Sequence, residues 1–274
     1  MNKRSILMLI NPSREEAKGA SEAITKALSS AGIDVYTPAD SKIPDVEVVL
    51  VLGGDGTILR GAEYALERKV PLLGINLGHV GFMAEVDAFT FSEVAQSIID
   101  KDYVLDERML LTFQVKRGNK VIEQGWALNE VSVERKSTTM LELFVQIDDR
   151  PLSRWGCDGI ICATPTGSTA YAFSAGGPVL WPEVQALVLL PIAAHALFAK
   201  PMVIAPSSTI GIAIESADAS LSADALRKIN LQKNDHVELT KNTDKVVLAH
   251  LKSTVFTDRL VAKFKLPIEG WRGE

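Results

Sequence analysis

The sequence has only two cysteines, Cys157 and Cys162, and no further Cys or close His pair that would complete a zinc-like ligand set. A disulfide scaffold and a structural metal centre are therefore not expected, and both thiols read as small buried residues. No run reaches the ~18 apolar residues of a membrane span. The apolar segment Ile6 to Ile10 behind the basic opening Met-Asn-Lys-Arg stops at Asn11-Pro12. That is too short for the core of a signal peptide, and a cytoplasmic location is the expectation. A surplus of positive charge is also lacking: the formal net charge is -5, which argues against general nucleic-acid binding. A phosphate ligand stays open, because a few local donors suffice. Internal repeats and low-complexity segments are absent. What remains is an ordinary globular composition, 47% hydrophobic and 23% charged over 274 residues, long enough for two domains.

Periodicity divides the chain. Ile6 to Ile10 reads as a strand, and Ser13 with Glu16 is a capping-box signature for a helix whose stripe runs from Ala17 to Ala31. A short strand at Ile33 to Tyr36, a buried strand at Val46 to Leu52, a helix over Ile58 to Arg68 and a strand at Val70 to Ile75 follow. Thr90 and Glu93 form a second capping box, for a helix over Phe91 to Asp100. This alternation predicts a doubly wound α/β domain over residues 1–103, with ligands at the carboxyl ends of its strands. Past Tyr103 the period becomes two. Met109 to Val115 and Leu141 to Ile147 alternate, and Ile160–Ala163, Val184–Leu190, Met202–Ile204, Ile210–Ile214, Val237–Leu239 and Val246–Leu251 continue the pattern. An all-β domain of two packed sheets is predicted over 104–256, with a C-terminal tail, 257–274, docking on the body. Thr257 to Phe264 reads as a short helix in that tail.

Gly53-Gly54-Asp55-Gly56-Thr57 joins the central strand to its helix. Such a turn sets backbone N–H groups and a positive helix end at the edge of a sheet, and its glycines let a polyanion approach the main chain. Asp55 is the odd member. A carboxylate repels phosphate unless it binds a metal, accepts a hydrogen bond from a ligand hydroxyl or removes that hydroxyl's proton. The combination points to a kinase acting on an alcohol.

Two more stretches carry polar chemistry. After the apolar strand at Ile160, Thr164-Pro165-Thr166-Gly167-Ser168-Thr169-Ala170-Tyr171 crowds hydroxyls and glycine together, and Gly176-Gly177-Pro178 follows shortly. It reads either as a nucleotide-binding loop, with Tyr171 stacking on a planar ring, or as a Ser/Thr-rich loop capping a helix that starts near Ser168. Asn129-Glu130 interrupts the apolar Trp126 to Val133. Burying that carboxylate unpaired is costly, so on its own it is expected to face solvent, the other choice being a polar ligand.

These three motifs, in this order and spacing, resemble the three signatures of the NAD kinase (ATP-NAD kinase) family. Diacylglycerol and sphingosine kinases share the first, and phosphofructokinases carry a near variant; the other two together are close to diagnostic. The similarity runs from Val46 to Pro206, including Asn76 to Phe82 and Pro191 to Pro201. The tail, Phe256 to Leu260 through Gly270 to Gly273, resembles actinobacterial members.

The resemblance implies a phosphofructokinase-like α/β domain, a C-terminal β-sandwich, and NAD held between them. It implies transfer of the γ-phosphoryl of ATP, or of polyphosphate in some members, to the 2'-hydroxyl of NAD's adenosine ribose with Mg²⁺, giving NADP, in a homodimer or homotetramer. Carried over by position, Asp55 approaches the ribose hydroxyl as general base or orienting group. Gly54 and Gly56 admit phosphates, and Thr57 and Arg60 assist. Asn129 and Glu130 contact the adenosine, Thr166, Thr169, Ala170 and Tyr171 line the adenine pocket, and Asp158 contacts a dinucleotide. His195 and Asp224 are the weaker correspondences: His195 reads as a packed polar residue, and Asp224 as either the family's Asp or an ordinary exposed residue. The glycine that commonly follows that Asp is Ala225 here, which alters a tight turn. No metal ligand is assigned. The alternatives are a non-catalytic NAD(P)-binding regulator, against which the intact Asp55, Asn129 and Glu130 argue, and a lipid kinase sharing the glycine-rich turn.

Overall fold

Strands at the start of the chain pair in parallel, as the strand-helix alternation predicts. The computed structural model describes residues 3–11, 15–77, 81–83, 90–216, 219–252 and 255–268. Its contacts divide the chain into two units, Met1–Glu107 with Val246–Glu274, and Arg108–Lys245.

The first unit contains β1 (Ser5–Ile10), α1 (Glu15–Ser30), β2 (Asp34–Tyr36), β3 (Val49–Leu52), α2 (Asp55–Arg68), β4 (Leu72–Ile75) and α3 (Phe91–Asp100). Parallel pairing gives the order β2-β1-β3-β4. β3 is buried at every residue, as a parallel strand covered on both faces must be. Its side chains alternate between two cores. Leu50 and Leu52 pack with Ile24 and Leu28 of α1 and Val94 and Ile98 of α3. Val51 faces α2 at Gly61, where an added Cβ would strike it. Helices thus cover both faces, and the α/β region is doubly wound. α3 starts with the predicted capping box: the Glu93 N–H donates to Thr90 Oγ1 at 3.3 Å, and the Thr90 N–H to Glu93 Oε2 at 2.7 Å. The Ser13 capping signature, Gly78-His79-Val80 and the tail from residue 269 lie outside the described residues.

The second unit takes up most of β5 (Val104–Arg117), then β6 (Lys120–Ala127), β7 (Glu130–Arg135), β8 (Leu141–Ile147), β9 (Arg150–Cys157), β10 (Gly159–Ala163), the short α4 (Tyr171–Ser174), β11 (Leu187–Ile192), β12 (Met202–Ile204), β13 (Ile210–Ile214), β14 (Ala219–Ala223), β15 (Arg227–Leu231) and most of β16 (Asp235–His250). Six strands form one sheet in the order β12-β11-β10-β7-β14-β15. β16, β13, β8 and β9 continue one another in a second, with β5 on β16 and β6 on β5. Val131, Val133, Ile160, Leu189 and Leu221 from the first sheet share a core with Leu111, Phe113, Leu143, Val145 and Ile212 from the second. This is the two-sheet β packing that the period-two pattern predicts.

Several strand assignments change: β3 begins at Val49 rather than Val46, and β4 at Leu72 rather than Val70. Val237–Leu239 and Val246–Leu251 are one strand, β16, whose far end leaves the sandwich: Leu248 and Ala249 pair in parallel with Leu72 and Leu73 of β4. An apolar run carries no mark of the sheet it will join. β11 starts at Leu187 rather than Val184, past the polar Gln185. The chain then closes the first unit with α5 (Phe256–Phe264). Among the described residues no helix is long and apolar enough to cross a membrane.

Candidate active site

In the first unit, β3 delivers the chain to Gly53, whose N–H donates to Ile75 O at 2.9 Å. α2 begins at Asp55, three residues before the expected Ile58, so Asp55 is its first residue and Gly54 its N-cap. Gly56 and Thr57 follow in the first turn, where helices have N–H groups without intrahelical partners. Arg60 is exposed one turn on, and Thr57 is half-buried with its side chain turned towards Gly53. An added Cβ on Gly54 or Gly56 would meet nothing within 4 Å. Gly54 has φ -82° and ψ -177°, a conformation open to any residue. Neither the packing nor the backbone demands glycine here, whereas close approach of a ligand would.

The Asp55 carboxylate is half-buried and fixed from elsewhere in the unit. Oδ2 accepts the Phe82 N–H at 3.1 Å and Oδ1 the Met83 N–H at 3.3 Å. Gly81 lies so close that a Cβ on it would collide with the carboxylate. At the end of β4, Asn76 Oδ1 is buried with no hydrogen-bond partner. Asn76 is not among the expected site residues, although an amide at the carboxyl end of a buried parallel strand is a usable sequence signal.

The second unit assembles the other motifs. Asn129 and Glu130 are buried, at 8% and 7% exposure, which corrects the expectation that Glu130 faces solvent. Asp224 explains how the chain holds them. It is 2% exposed, not an ordinary surface residue. Its Oδ2 accepts the Leu128 N–H at 2.8 Å, and its Oδ1 the N–H groups of Asn129 and Glu130 at 2.7 and 3.3 Å. Glu130 Oε2 is left buried with no hydrogen-bond partner. Burial, then the nearby Asp224, pushes the Glu130 carboxyl up to about 8, partly offset by a hydrogen bond from the Tyr171 backbone. Burial also raises the Asp224 carboxyl, against its three N–H donors.

The Thr164–Tyr171 run is stitched to the same place. Thr164 donates its hydroxyl to Leu128 O at 2.5 Å and its N–H to Asn129 O at 2.9 Å. Gly167 packs on the Asn129 main chain, where any Cβ would clash. Thr166 to Thr169 form a 3-10 turn leading into α4, which starts at Tyr171 rather than near Ser168 and has no side-chain cap, so the hydroxyls of this run do not cap that helix. Thr166 is buried, its Oγ1 3.5 Å from Arg108 Nη1; Thr169 and Ala170 are half-buried, and the Thr169 hydroxyl bonds back to Thr166 O. Ser168 is wholly internal, bonded to Pro165 and Leu180. Tyr171 exposes its ring at 36%, its hydroxyl 3.3 Å from Glu134 Oε2.

Tyr171, Glu134, Arg135, Asp158 and Ile192 line a cleft of about 550 Å³. Asp158 does not stand alone: Arg135 Nε is 2.7 Å from its Oδ1 and Nη2 3.2 Å from its Oδ2. Sequence reasoning missed Glu134 and Arg135. The signal was available for Glu134, because Glu130, Ser132 and Glu134 share one face of β7 while Val131 and Val133 enter the core. His195 is exposed rather than packed, and its main chain bridges to β9, the His195 N–H donating to Gly156 O at 2.8 Å.

The chain thus carries a doubly wound unit with an aspartate at the head of a glycine-flanked helix, and a β-sandwich unit with a polar cleft. Residues 39–103 match the ATP-NAD kinase N-terminal domain and residues 128–251 the ATP-NAD kinase C-terminal domain. The chain is 42% identical to an NAD kinase of Thermobifida fusca, over 98% of this chain and 92% of that one. It is 41% identical to an NAD kinase of Mycobacterium tuberculosis, over 99% of each. Its fold matches the crystal structure of yeast NADH kinase complexed with NADH, with a TM-score of 0.86 at 23% identity over 100% of this chain and 91% of that one. An NAD kinase from Archaeoglobus fulgidus in complex with ATP matches with a TM-score of 0.76 at 26% identity, over 96% and 98%. The chain belongs to the NAD kinase family.

Proposed function

We propose that this chain transfers the γ-phosphoryl group of ATP to the 2'-hydroxyl of the adenosine ribose of NAD, with Asp55 as the group that receives the hydroxyl proton. The observation that carries this is the Asp55 carboxylate itself, fixed by two main-chain N–H groups at the head of α2 beside glycines with open space around them. The 2'-oxygen attacks the γ-phosphorus in line, the O2'–P bond forms, the bond to the β-phosphate oxygen breaks, and ADP leaves as the proton passes to Asp55. Such a loose transition state demands alignment and charge neutralisation more than full deprotonation.

Gly54 and Gly56 admit the phosphates at the helix N-terminus, with Thr57 and Arg60 beside them. Among the described residues no group of three or more His, Cys, Asp or Glu side chains is placed to hold a metal. Mg²⁺ is instead assigned to the substrate, since it binds through nucleotide phosphates, waters and one or two carboxylates. Asn129 and Glu130 recognise the adenosine, and the orphaned Glu130 Oε2 supports that role because a ribose hydroxyl supplies its missing donor. Thr166, Thr169, Ala170 and Tyr171 line the adenine site, and Asp158, oriented by Arg135, faces the rest of the dinucleotide. Asp224 works from behind, holding the Asn129-Glu130 main chain. His195 carries no role in this scheme.

Polyphosphate presents the same terminal phosphoryl group and is the second donor to try. The assembly we favour is a homodimer or homotetramer in the cytoplasm, a self-association supported by exposed Leu197, Phe198 and Val203 and readable by sedimentation velocity. A coupled assay for NADP from NAD and Mg²⁺ with either donor tests the reaction. Asp55→Asn is expected to lower turnover by roughly 10²–10⁴ while leaving NAD affinity by calorimetry unchanged. Near-normal turnover in that variant removes Asp55 from the mechanism.

A further inference from the structure

The carboxylate assigned to proton transfer is held by a segment that is itself held from the far end of the chain. Arg259 on α5 is buried, at 8% exposure, and donates from Nη1 to Phe82 O at 2.9 Å. Phe82 O and the Met83 N–H are the two ends of one peptide group, which is planar and rigid. Met83 N–H is one of the two donors to Asp55. Fixing the oxygen of that peptide therefore fixes the direction in which its N–H points, and polarises the N–H towards the carboxylate.

The guanidinium is fixed in turn. Its Nη2 stands 3.1 Å from His250 Nδ1. Arginine has donors only, so Nδ1 accepts and the ring proton sits on Nε2, which faces Asp106 Oδ2 at 3.5 Å. The Phe82 ring is seated on the same helix, with ring centres 5.9 Å from Phe256 and 5.8 Å from Phe264. Gly81 completes the arrangement, since only a residue without a Cβ lets the loop close on Asp55.

We propose that Arg259 is a positioning residue for Asp55, acting through the Phe82–Met83 peptide. This rests on the assignment of Asp55 above. Arg259 touches neither substrate in this scheme, so its loss lowers kcat and leaves NAD binding intact.

The test compares full-length Arg259→Met, which keeps the stem and removes the donors, with Arg259→Lys, which keeps one donor for Phe82 O. Leu260→Ala, half-buried on the same helix, serves as a stability control. Arg259→Met is expected to lose roughly 10–100-fold in kcat with KM and Kd for NAD within twofold of wild type. Arg259→Lys is expected to stay within about fivefold of wild-type kcat, and Leu260→Ala to keep it. Added to Asp55→Asn, Arg259→Met is expected to cost little more, because a residue that acts through Asp55 has nothing left to position. Equal kcat in the Met and Lys variants, an equal loss in Leu260→Ala, or a full further loss in the double variant overturns the proposal. If Arg259→Met does not fold, Arg259→Lys decides, a loss beyond fivefold counting against. Should Asp55→Asn itself retain turnover, the assignment of Asp55 fails first; an inactive Asp55→Asn beside a fully active Arg259→Met sinks only the positioning role.

Discussion

Asp224 Oδ1 accepts the main-chain N–H of Asn129 at 2.7 Å across 95 positions of sequence, and the same carboxylate takes the N–H groups of Leu128 and Glu130. One buried side chain thus takes up the N–H groups of the chain as it enters β7. Asp224→Ala leaves three buried donors without partners, at about 1–3 kcal/mol each. The expected loss is at least about 3 kcal/mol, or roughly 6–12 °C in Tm. Differential scanning calorimetry reads it directly, and a change under about 1 kcal/mol would show that water replaces the carboxylate at no cost.

Asp224 and Ala225 both have positive φ, 52° and 55°. An L-residue in that region costs about 1–2 kcal/mol, and the greater freedom of glycine in the unfolded chain returns about 0.4–1 of it. Ala225→Gly is expected to gain about 0.5–1 kcal/mol, seen as a higher urea midpoint with unchanged slope. A lower midpoint would mean that the alanine methyl contributes packing that outweighs the strain.

Glu130 has its carboxyl raised from an ordinary 4.5 to about 8. Between those two values the unfolded chain releases this proton while the folded chain keeps it. The folded state therefore binds more protons, and stability falls as pH rises through the window. Below about pH 4.5 both states are protonated and the effect vanishes. Glu130→Gln is expected to remove that slope and to be more stable than wild type at pH 8 by roughly 1–3 kcal/mol, while binding NAD more weakly. Urea titrations at pH 5 and pH 8 check the first part; an identical pH dependence in both proteins would mean that Glu130 ionises freely in the fold.

Local signals were legible and distant ones were not. The Thr90–Glu93 capping box, the alternation in β8 and the helical stripe of α1 each depend on neighbours a few residues apart, and each is where periodicity puts it. The glycine-rich turn was legible because strand, glycines and helix adjoin in sequence. Glu130 was misjudged because its burial depends on Asp224, and no local pattern announces a partner 94 residues away. The same holds for the end of β16, an apolar stretch whose parallel partner is β4. The link from Arg259 to Phe82 spans 177 positions. Contacts of that kind follow from topology, and a sequence states topology only through its whole pattern.

β16 has a consequence for biosynthesis. The last strand of the first unit's sheet and the helix that carries Arg259 are encoded after the whole of Arg108–Lys245. At ~5–20 residues per second, a ribosome takes on the order of ten to thirty seconds to make that intervening stretch. During this interval the nascent first unit has β4 as an open edge and lacks the clamp on Asp55. The sequence that begins the kinase site is made first and finished last.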